Sequence, residues 1–140
     1  MSTFSIGTPP VRRRAPTVLV VDDVSEIRNV HARLFHGSEM EVFTARNGAD
    51  AIDAVRHITP DVVVTDLNMP VMDGLDLCRQ LRADVATRAI VIVVVTGDAS
   101  EHLEAATEAG CDAVLPKPIS RTLLLATIRL LLESRADARK

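Results

Sequence analysis

Short apolar runs alternate along the chain with stretches whose apolar residues recur at helical spacing. The runs predict five strands, at residues 17–21, 42–45, 61–65, 90–95 and 113–115. A helical stretch follows each run, and strands that alternate with helices form right-handed βαβ units. We therefore predict an α/β fold, a doubly wound five-stranded parallel sheet with five helices on its two faces. The unbroken apolar run at 90–95 is typical of a strand buried on both sides.

The apolar spacing within each helical stretch predicts the side chains that face the sheet. They are Ile27, Val30 and Leu34 in the first helix, Ile52, Val55 and Ile58 in the second, Leu75, Cys78 and Leu81 in the third, and Ala105, Ala106 and Ala109 in the fourth. Capping residues are predicted for three helices: Ser25 for the first, Asp98 paired with Glu101 for the fourth, and Ser120 for the fifth. Gly110 is predicted to end the fourth helix.

The fifth helix carries more apolar surface than one contact with a sheet requires. At about 100° per residue its apolar side chains cover an arc of about 220°; they are Leu123, Leu124, Leu125, Ile128, Leu130, Leu131 and Leu132. Part of this surface is expected to stay exposed and to bind a partner or a second copy of the chain, unless neighbouring side chains or the tails cover it.

Length, composition and charge restrict the classes of partner. A chain of 140 residues fits one ordinary domain, and three Phe without Tyr or Trp argue against base-stacking surfaces and aromatic-lined pockets. Residues 1–16 carry a charge of +3 and residues 134–140 carry +2. Subtracting both from the total of −3 leaves −8 for the segment between them. Because this segment would repel nucleic-acid phosphates, direct nucleic-acid binding is not expected.

The chain is predicted to have three parts. Residues 1–16, rich in Pro and Arg, are a flexible basic leader, residues 17–133 are the folded domain, and residues 134–140 are a short tail. Neither an export signal nor an apolar stretch of membrane-spanning length is evident, so we expect a cytoplasmic protein with no membrane partner. Cys78 and Cys111, without disulfide or zinc-site spacing, are predicted to be small core residues.

Polar side chains follow four of the five predicted strands. Asp22 and Asp23 come after the first strand, Asp66 after the third, Thr96 after the fourth and Lys117 after the fifth. Because the carboxyl ends of parallel strands meet at one edge of the sheet, we expect these side chains to converge there. Each of them alone has an ordinary explanation as a cap, a turn residue or a surface charge.

Three clustered carboxylates repel one another unless a cation lies between them. Mg²⁺ takes oxygen ligands and pairs readily with carboxylates and a phosphate, so the cluster predicts a magnesium site. A carboxylate beside a metal can also act as a nucleophile toward phosphorus, and an ammonium such as that of Lys117 can neutralise phosphoryl oxygens. The set of residues therefore predicts a phosphorylatable aspartate.

Four motifs give this sequence a family resemblance. They are Val-Leu-Val-Val-Asp-Asp at 18–23, Asp-Leu-Asn-Met-Pro-Val-Met-Asp-Gly at 66–74, Val-Thr-Gly at 95–97, and Lys117 followed by Pro118. With these motifs, from about residue 17 to residue 133, the chain resembles the response-regulator receiver domains of two-component signalling, and is similar to their single-domain chemotaxis type. The resemblance implies the flavodoxin-like strand order 2-1-3-4-5.

The resemblance also implies a role for each site residue. Asp66 would accept a phosphoryl group from a phosphohistidine on a sensor histidine kinase or a histidine phosphotransfer protein. Mg²⁺ would be held by Asp22, Asp23, Asp66 and the backbone carbonyl of Asn68. Thr96 would bond a phosphoryl oxygen, and Lys117, followed by Pro118 across a cis bond, would pair with the phosphoryl group.

Two positions depart from the family pattern. Receivers usually carry Tyr or Phe three residues before the lysine, where this chain has Val114. We therefore expect a smaller or differently transmitted rearrangement of the face formed by the fourth helix, fifth strand and fifth helix. Gly97 replaces the usual Ala or Ser and is expected to widen access to the phosphoryl group, while the polar Asn68 and Asp98 predict a short-lived one.

The resulting prediction is a stand-alone receiver that switches the binding of a downstream effector protein through that face, with a homodimer as a further possibility. It is not an enzyme acting on other molecules, and catalyses only its own phosphorylation and dephosphorylation. The alternatives are a relay intermediate that passes the phosphoryl group to a phosphotransfer protein, a receiver excised from a larger regulator, and a metal-dependent phosphatase. The last usually needs a second acid where this chain has Asn68. Kinase recognition is expected to involve surface residues of the first helix, including Ile27, Arg28 and His31. All four histidines are expected to be solvated: His31, His36, His57 and His102.

Overall fold

The computed structural model describes residues 14–138 and contains five strands in one parallel sheet. The order is β2-β1-β3-β4-β5, which confirms the predicted fold class and the order 2-1-3-4-5. The strands are β1 (Thr17–Val21), β2 (Glu41–Ala45), β3 (Val62–Asp66), β4 (Val91–Thr96) and β5 (Ala113–Pro116). The three central strands are buried along their whole length, as their continuous β-branched runs predict.

Five helices alternate with the strands, as predicted. They are α1 (Ser25–Arg33), α2 (Gly48–Ile58), α3 (Gly74–Ala83), α4 (Ala99–Ala109) and α5 (Arg121–Ala138). Successive strand residues point to opposite faces, so the sheet has two separate cores. Leu19 and Val21 pack with residues of α2, α3 and α4 on one face, and Val18 and Val20 pack with α5 on the other.

The predicted caps have mixed outcomes. Ser120 Oγ accepts a hydrogen bond from Leu123 N–H at 3.2 Å, which confirms Ser120 as the cap of α5. Ser25 is instead the first residue of α1, because Asp22 Oδ1 already binds the N–H of Val24, the residue before the helix. Asp98 precedes α4 but makes no capping bond, so its predicted capping role with Glu101 is wrong.

The buried face of α1 also differs from the prediction. Val30 is 54% and Ile27 37% exposed, whereas His31, predicted to be solvated, is only 8% exposed. The reason is local: His31 lies beside the buried Asp22 carboxylate, with Nδ1 4.0 Å from Asp22 Oδ2. His31 is therefore not a surface residue as predicted, whereas Ile27 and Val30 are exposed.

The helix α5 is long and only partly covered. Leu124, Leu125 and Ile128 are buried, but Leu123 is 45% and Leu130 is 68% exposed, which confirms the predicted excess of apolar surface. Glu133, where the predicted domain ends, lies inside α5, and the helix continues to Ala138. Residues 1–13 and 139–140, which include most of the predicted leader and the end of the predicted tail, lie outside the described residues.

Within residues 14–138, none of the helices is both long enough and apolar enough to cross a membrane.

Candidate functional site

The register of the sheet brings the polar strand ends to one edge. Val21 of β1 pairs with Thr65 of β3, so Asp22 and Asp66 follow neighbouring residues. Asp66 in turn pairs with Val95 of β4, one residue before Thr96. Thr96 pairs with Pro116 of β5, so Lys117 is the next residue at the same edge. The four strand ends therefore meet, as the sequence predicted.

Three of the predicted residues form a carboxylate cluster. One oxygen each of Asp22, Asp23 and Asp66 lies within 4.8 Å of the others. Asp22 is fully buried and Asp66 is 7% exposed, whereas Asp23 opens to solvent. Asp22 Oδ2 and Asp66 Oδ1 are buried without a hydrogen-bond partner. Buried carboxylate oxygens that lack a partner are the donors a hard divalent cation takes, so these residues fit Mg²⁺.

Burial raises the pKa of Asp22, and the negative charge of Asp66 raises it further. The Val24 N–H, which donates to Asp22 Oδ1 at 2.9 Å, and the more distant Lys117 ammonium oppose this shift. The net direction is upward because burial outweighs both. A cation bound at the cluster would offset the energetic cost of burying the negative charge of Asp22.

Lys117 is the cation that the chain itself supplies. Its Nζ lies 2.9 Å from Asp66 Oδ1, so the two groups form an ion pair. The contact does not have the angles of a hydrogen bond, because Asp66 Oδ1 has no hydrogen-bond partner. Lys117 N–H donates to Thr96 O at 3.0 Å, and the following Lys117–Pro118 peptide bond is cis, as the resemblance implied. The ammonium is therefore held directly against the buried carboxylate.

Thr96 and the residues after it line the side of the site that β4 forms. Thr96 is buried at the strand end, and its hydroxyl accepts a hydrogen bond from Asp98 N–H at 3.4 Å. Gly97 is exposed, and a Cβ built on it would meet nothing within 4 Å. The space beside Gly97 is therefore open, while the wider access to the phosphoryl group stays a prediction.

The loop between β3 and α3 is tied closely to Asp66. Leu67 N–H donates to Val95 O at 3.0 Å, and Gly74 N–H donates to Leu67 O at 2.8 Å. A Cβ on Gly74 would lie 2.5 Å from the carbonyl oxygen of Asp66, so only glycine fits there. Asn68 lies in this loop and is exposed. The sequence did not predict how tightly Gly74 packs against Asp66.

A family model for the response regulator receiver domain matches residues 18–129. The chain belongs to this family. Response regulator MprA of Mycobacterium sp. strain KMS is 38% identical over 115 residues, which make up 82% of this chain and 50% of that protein. Response regulator MprA of Mycobacterium avium strain 104 is 37% identical over the same share of each chain. This receiver domain chain therefore spans about half the length of the curated relatives it matches.

Solved structures have the same fold as this receiver domain. A sensor protein from Polaromonas sp. JS666 has a TM-score of 0.81 at 27% identity, over 87% of this chain and 99% of that one. The chemotaxis protein CheY4 of Vibrio cholerae has a TM-score of 0.78 at 28% identity, over 84% of this chain and 99% of that one. Both have the receiver fold, and the second is a chemotaxis protein, the type that the sequence resembles.

His31 is the residue of this receiver domain that sequence reasoning missed. It lies beside Asp22, and burial lowers its pKa, whereas the nearby Asp22 carboxylate opposes that shift. The apolar spacing of α1 gave no signal for this, because Ile27, four residues earlier on the same side of the helix, is itself exposed.

Proposed function

We propose that Asp66 accepts a phosphoryl group and that this receiver domain works as a phosphorylation-dependent switch. The observation that carries the proposal is the buried Asp66 carboxylate with Lys117 Nζ at 2.9 Å and two further carboxylates beside it. One nucleophilic oxygen thus has a fixed cation on one side and acidic ligands on the other. Membership of the receiver family gives the reaction class.

The phosphoryl donor is a phosphohistidine on a sensor histidine kinase or a histidine phosphotransfer protein. An Asp66 carboxylate oxygen forms a bond to phosphorus as the phosphorus–nitrogen bond of the donor breaks, and the released imidazole takes up a proton from water. Lys117 stays within reach of the equatorial oxygens and neutralises part of their charge. The open side at Gly97 leaves room for the donor to approach.

Asp22, Asp23, Asp66 and the backbone carbonyl of Asn68 would hold Mg²⁺. When bound, Mg²⁺ supplies positive charge that offsets both the carboxylate repulsion and the charge of the phosphoryl oxygens. Asp22 Oδ2, which is buried without a hydrogen-bond partner, would bind the ion, while Asp22 Oδ1 accepts the hydrogen bond from Val24 N–H.

The phosphorylated state is read by an effector protein. The Thr96 hydroxyl, which accepts from Asp98 N–H at 3.4 Å, turns to donate its O–H to a phosphoryl oxygen, and this movement shifts the start of α4. The face of α4, β5 and α5 presents exposed Leu103, Leu123 and Leu130 to the effector or to a second copy of the chain. Val114, half-buried in this face, is too small to swing as an aromatic ring does, so the rearrangement is smaller.

A relay intermediate uses the same residues and differs in the fate of the phosphoryl group. The exposed Asn68 and Asp98 flank the open side of the site and can orient water, which favours hydrolysis and a terminal switch. The longer relatives contain about as much chain again beyond the matched part. Catalysis is limited to phosphorylation and dephosphorylation of this chain.

The proposal is tested by labelling the full chain with a small acyl phosphate, with Mg²⁺ or with excess chelator. Wild type is expected to gain one phosphoryl group only with Mg²⁺, and Asp66→Asn none. Asp53→Asn, an exposed aspartate on α2, is the matched control and should label as wild type does. Undiminished labelling of Asp66→Asn would contradict the proposal, and onward transfer to a purified phosphotransfer protein faster than hydrolysis would favour the relay.

A further inference from the structure

The two ends of α4 are attached to the domain very differently. Its buried residues, Ala106 and Ala109, both lie in the carboxyl-terminal half. At the amino end, the side chain of Asp98 makes no capping hydrogen bond, and the Asp98 N–H reaches the Thr96 hydroxyl only at 3.4 Å. Gly97, the residue before Asp98, is exposed. The helix is therefore packed at its end and weakly attached at its start.

Arg82 of α3 attaches the turn after α4 to the body of the domain. Its Nε donates to Gly110 O at 2.8 Å, and its Nη2 donates to Asp112 Oδ2 at 2.8 Å. Its Nη1 donates to two backbone oxygens just before β4, those of Arg88 at 2.8 Å and Ile90 at 2.6 Å. Four hydrogen bonds from one side chain, which is 19% exposed, thus fix Gly110 relative to α3 and the sheet.

Asp112 extends this attachment to β4 and α5. Its Oδ2 also accepts a hydrogen bond from Ile92 N–H at 2.8 Å, and its Oδ1 accepts one from Arg135 Nη2 at 2.8 Å. Hydrogen bonds between charged groups are stronger than those between neutral groups. Arg82, Asp112 and Arg135, here called the anchor, therefore join the end of α4 to α3, β4 and α5.

The turn between α4 and β5 has little freedom to move against Arg82. Gly110 has a φ of 96°, and a Cβ on it would lie 2.9 Å from Arg82 Cγ, so both the conformation and the packing require glycine. The N–H of the partly exposed Cys111 donates to Ala106 O at 2.9 Å and closes the helix. The carboxyl end of α4 is thus fixed by packing, by backbone hydrogen bonds and by the anchor.

We propose that α4 pivots about the anchor when Asp66 is phosphorylated, so that its amino end moves while its carboxyl end stays in place. The pivot rests on the proposed function, in which the Thr96 hydroxyl turns to the phosphoryl group. Lengthening a contact of 3.4 Å costs little, whereas separating a partly buried, hydrogen-bonded ion pair is costly. The start of the helix therefore moves before the anchor breaks.

The length of α4 sets the size of the rotation. With 11 residues, at a rise of about 1.5 Å each, the helix is about 16 Å long. A shift of about 2 Å at its start, a usual size for helix shifts in switches, is then a rotation of about 7° about Gly110. The exposed Glu101 and Leu103 move with the start of the helix and change their position relative to α5. An effector that contacts both helices would distinguish the two states by this change.

The test is NMR spectroscopy of the full chain with Mg²⁺, before and during treatment with an excess of a small acyl phosphate. Residual dipolar couplings of the N–H bonds measure the direction of α4 relative to the sheet, and hydrogen exchange measures the attachment of the Arg82 Nε–H. Phosphorylation should tilt α4 by about 7°. The Arg82 Nε–H should stay bound to Gly110 O, with slow exchange in both states. Arg79 lies on the same helix with a side chain 56% exposed, so its Nε–H is the matched reference and should exchange much faster.

Arg82→Lys keeps the positive charge but loses the planar set of donors, and Arg79→Lys is its control. Arg82→Lys should speed hydrogen exchange at the Gly110 and Cys111 amides about tenfold, because the local opening of this turn becomes easier. Labelling of Asp66 should keep its wild-type rate, because the anchor lies at the amino ends of β4 and β5, away from the phosphoryl site. Arg79→Lys should change neither the exchange nor the labelling.

Two results on wild type would overturn the proposal. One is a labelled Asp66 with no change in the direction of α4, and the other is an Arg82 Nε–H that exchanges as fast as the Arg79 Nε–H in either state. Both hold even if Arg82→Lys folds poorly, and unchanged exchange in a folded Arg82→Lys would also count against the anchor. Absence of labelling at Asp66 would instead contradict the proposed function, so the two failures are distinguishable.

Discussion

Replacing Asp22 by Asn should stabilise the protein in the absence of Mg²⁺. Asp22 is fully buried, its Oδ2 lacks a partner, and oxygens of Asp23 and Asp66 lie within 4.8 Å. Asn keeps an acceptor for the Val24 N–H, now satisfied by Asp22 Oδ1. The substitution therefore removes a charge while it keeps the shape and the one hydrogen bond.

The magnitude follows from the distances. Two unit negative charges 4.8 Å apart repel by about 3.5 kcal/mol at an effective dielectric constant of about 20. Lys117, at 2.9 Å from Asp66, attracts Asp22 as well and offsets part of this repulsion. Burial of the Asp22 charge adds a cost of its own. We expect Asp22→Asn to raise the free energy of unfolding by about 2 kcal/mol, a large fraction of a typical domain's stability.

The pH dependence has a definite sign. The pKa of Asp22 in the folded protein is raised above its usual value of 3.8, so the buried charge lowers stability at neutral pH. This penalty fades as the pH falls through the raised pKa and is absent below 3.8, where both states bind the proton. The gain from Asp22→Asn should therefore be largest at neutral pH and vanish in acid.

The assay is urea unfolding of wild type, Asp22→Asn and the exposed control Asp53→Asn, each with chelator and with Mg²⁺. Mg²⁺ should stabilise wild type and the control by mass action and should leave Asp22→Asn almost unchanged. The reasoning is refuted if Asp22→Asn is less stable than wild type in chelator, or if Mg²⁺ stabilises it as much as it stabilises wild type.

Three further predictions concern residues outside the carboxylate cluster. Gly74→Ala should destabilise the protein by about 2 kcal/mol or more in urea unfolding and should slow phosphorylation, because the new Cβ would lie 2.5 Å from Asp66 O. An unchanged rate of labelling would count against this prediction. Val71→Asn should raise the free energy of unfolding by about 1 kcal/mol, because Val71 is 106% exposed at a φ of 69°, a conformation that strains Val more than Asn. A lower free energy of unfolding for Val71→Asn would contradict the strain argument. Arg129 lowers the pKa of Glu39 to about 2 through a hydrogen bond. The pair's small contribution to stability is therefore present above pH 4.5 and is lost as the pH falls toward 2. Glu39→Gln should flatten an acid-unfolding curve in that range.

The strands and the site were predictable because each left a direct signal in the sequence. A run such as 90–95 has no polar alternation, so it fits only a strand covered on both faces, and the structure buries all of β4. The parallel arrangement then forces the residues after the strands to one edge, which is why Asp22, Asp66 and Lys117 could be grouped before their distances were known.

The local details of α1 were not predictable, because tertiary contacts decide them. Ser25 is a good cap by type, but Asp22 binds the Val24 N–H first and the helix starts around that bond. Val30 is apolar, yet it is exposed, while the polar His31 is buried beside Asp22. Residue type sets a capping preference of about 1 kcal/mol, and the nearby buried carboxylate of Asp22 outweighs this preference.

The contact between α3 and the end of α4 was equally hidden. Cys78 Sγ donates to Ala109 O at 3.3 Å, and this contact depends on how α3 packs against the end of α4. No spacing rule connects a helix interior with a turn in another βαβ unit, so the sequence supported only the prediction of two small core residues.

The most direct test of the central claim is to locate the phosphoryl group. After reaction with a small acyl phosphate and Mg²⁺, borohydride reduction converts a phosphoaspartate to homoserine, which peptide mass spectrometry assigns to one residue. We expect homoserine at position 66 in wild type, and none when the chelator replaces Mg²⁺. Homoserine at position 22 or 23, or a phosphoryl group on a histidine or serine with Asp66 unchanged, would contradict it.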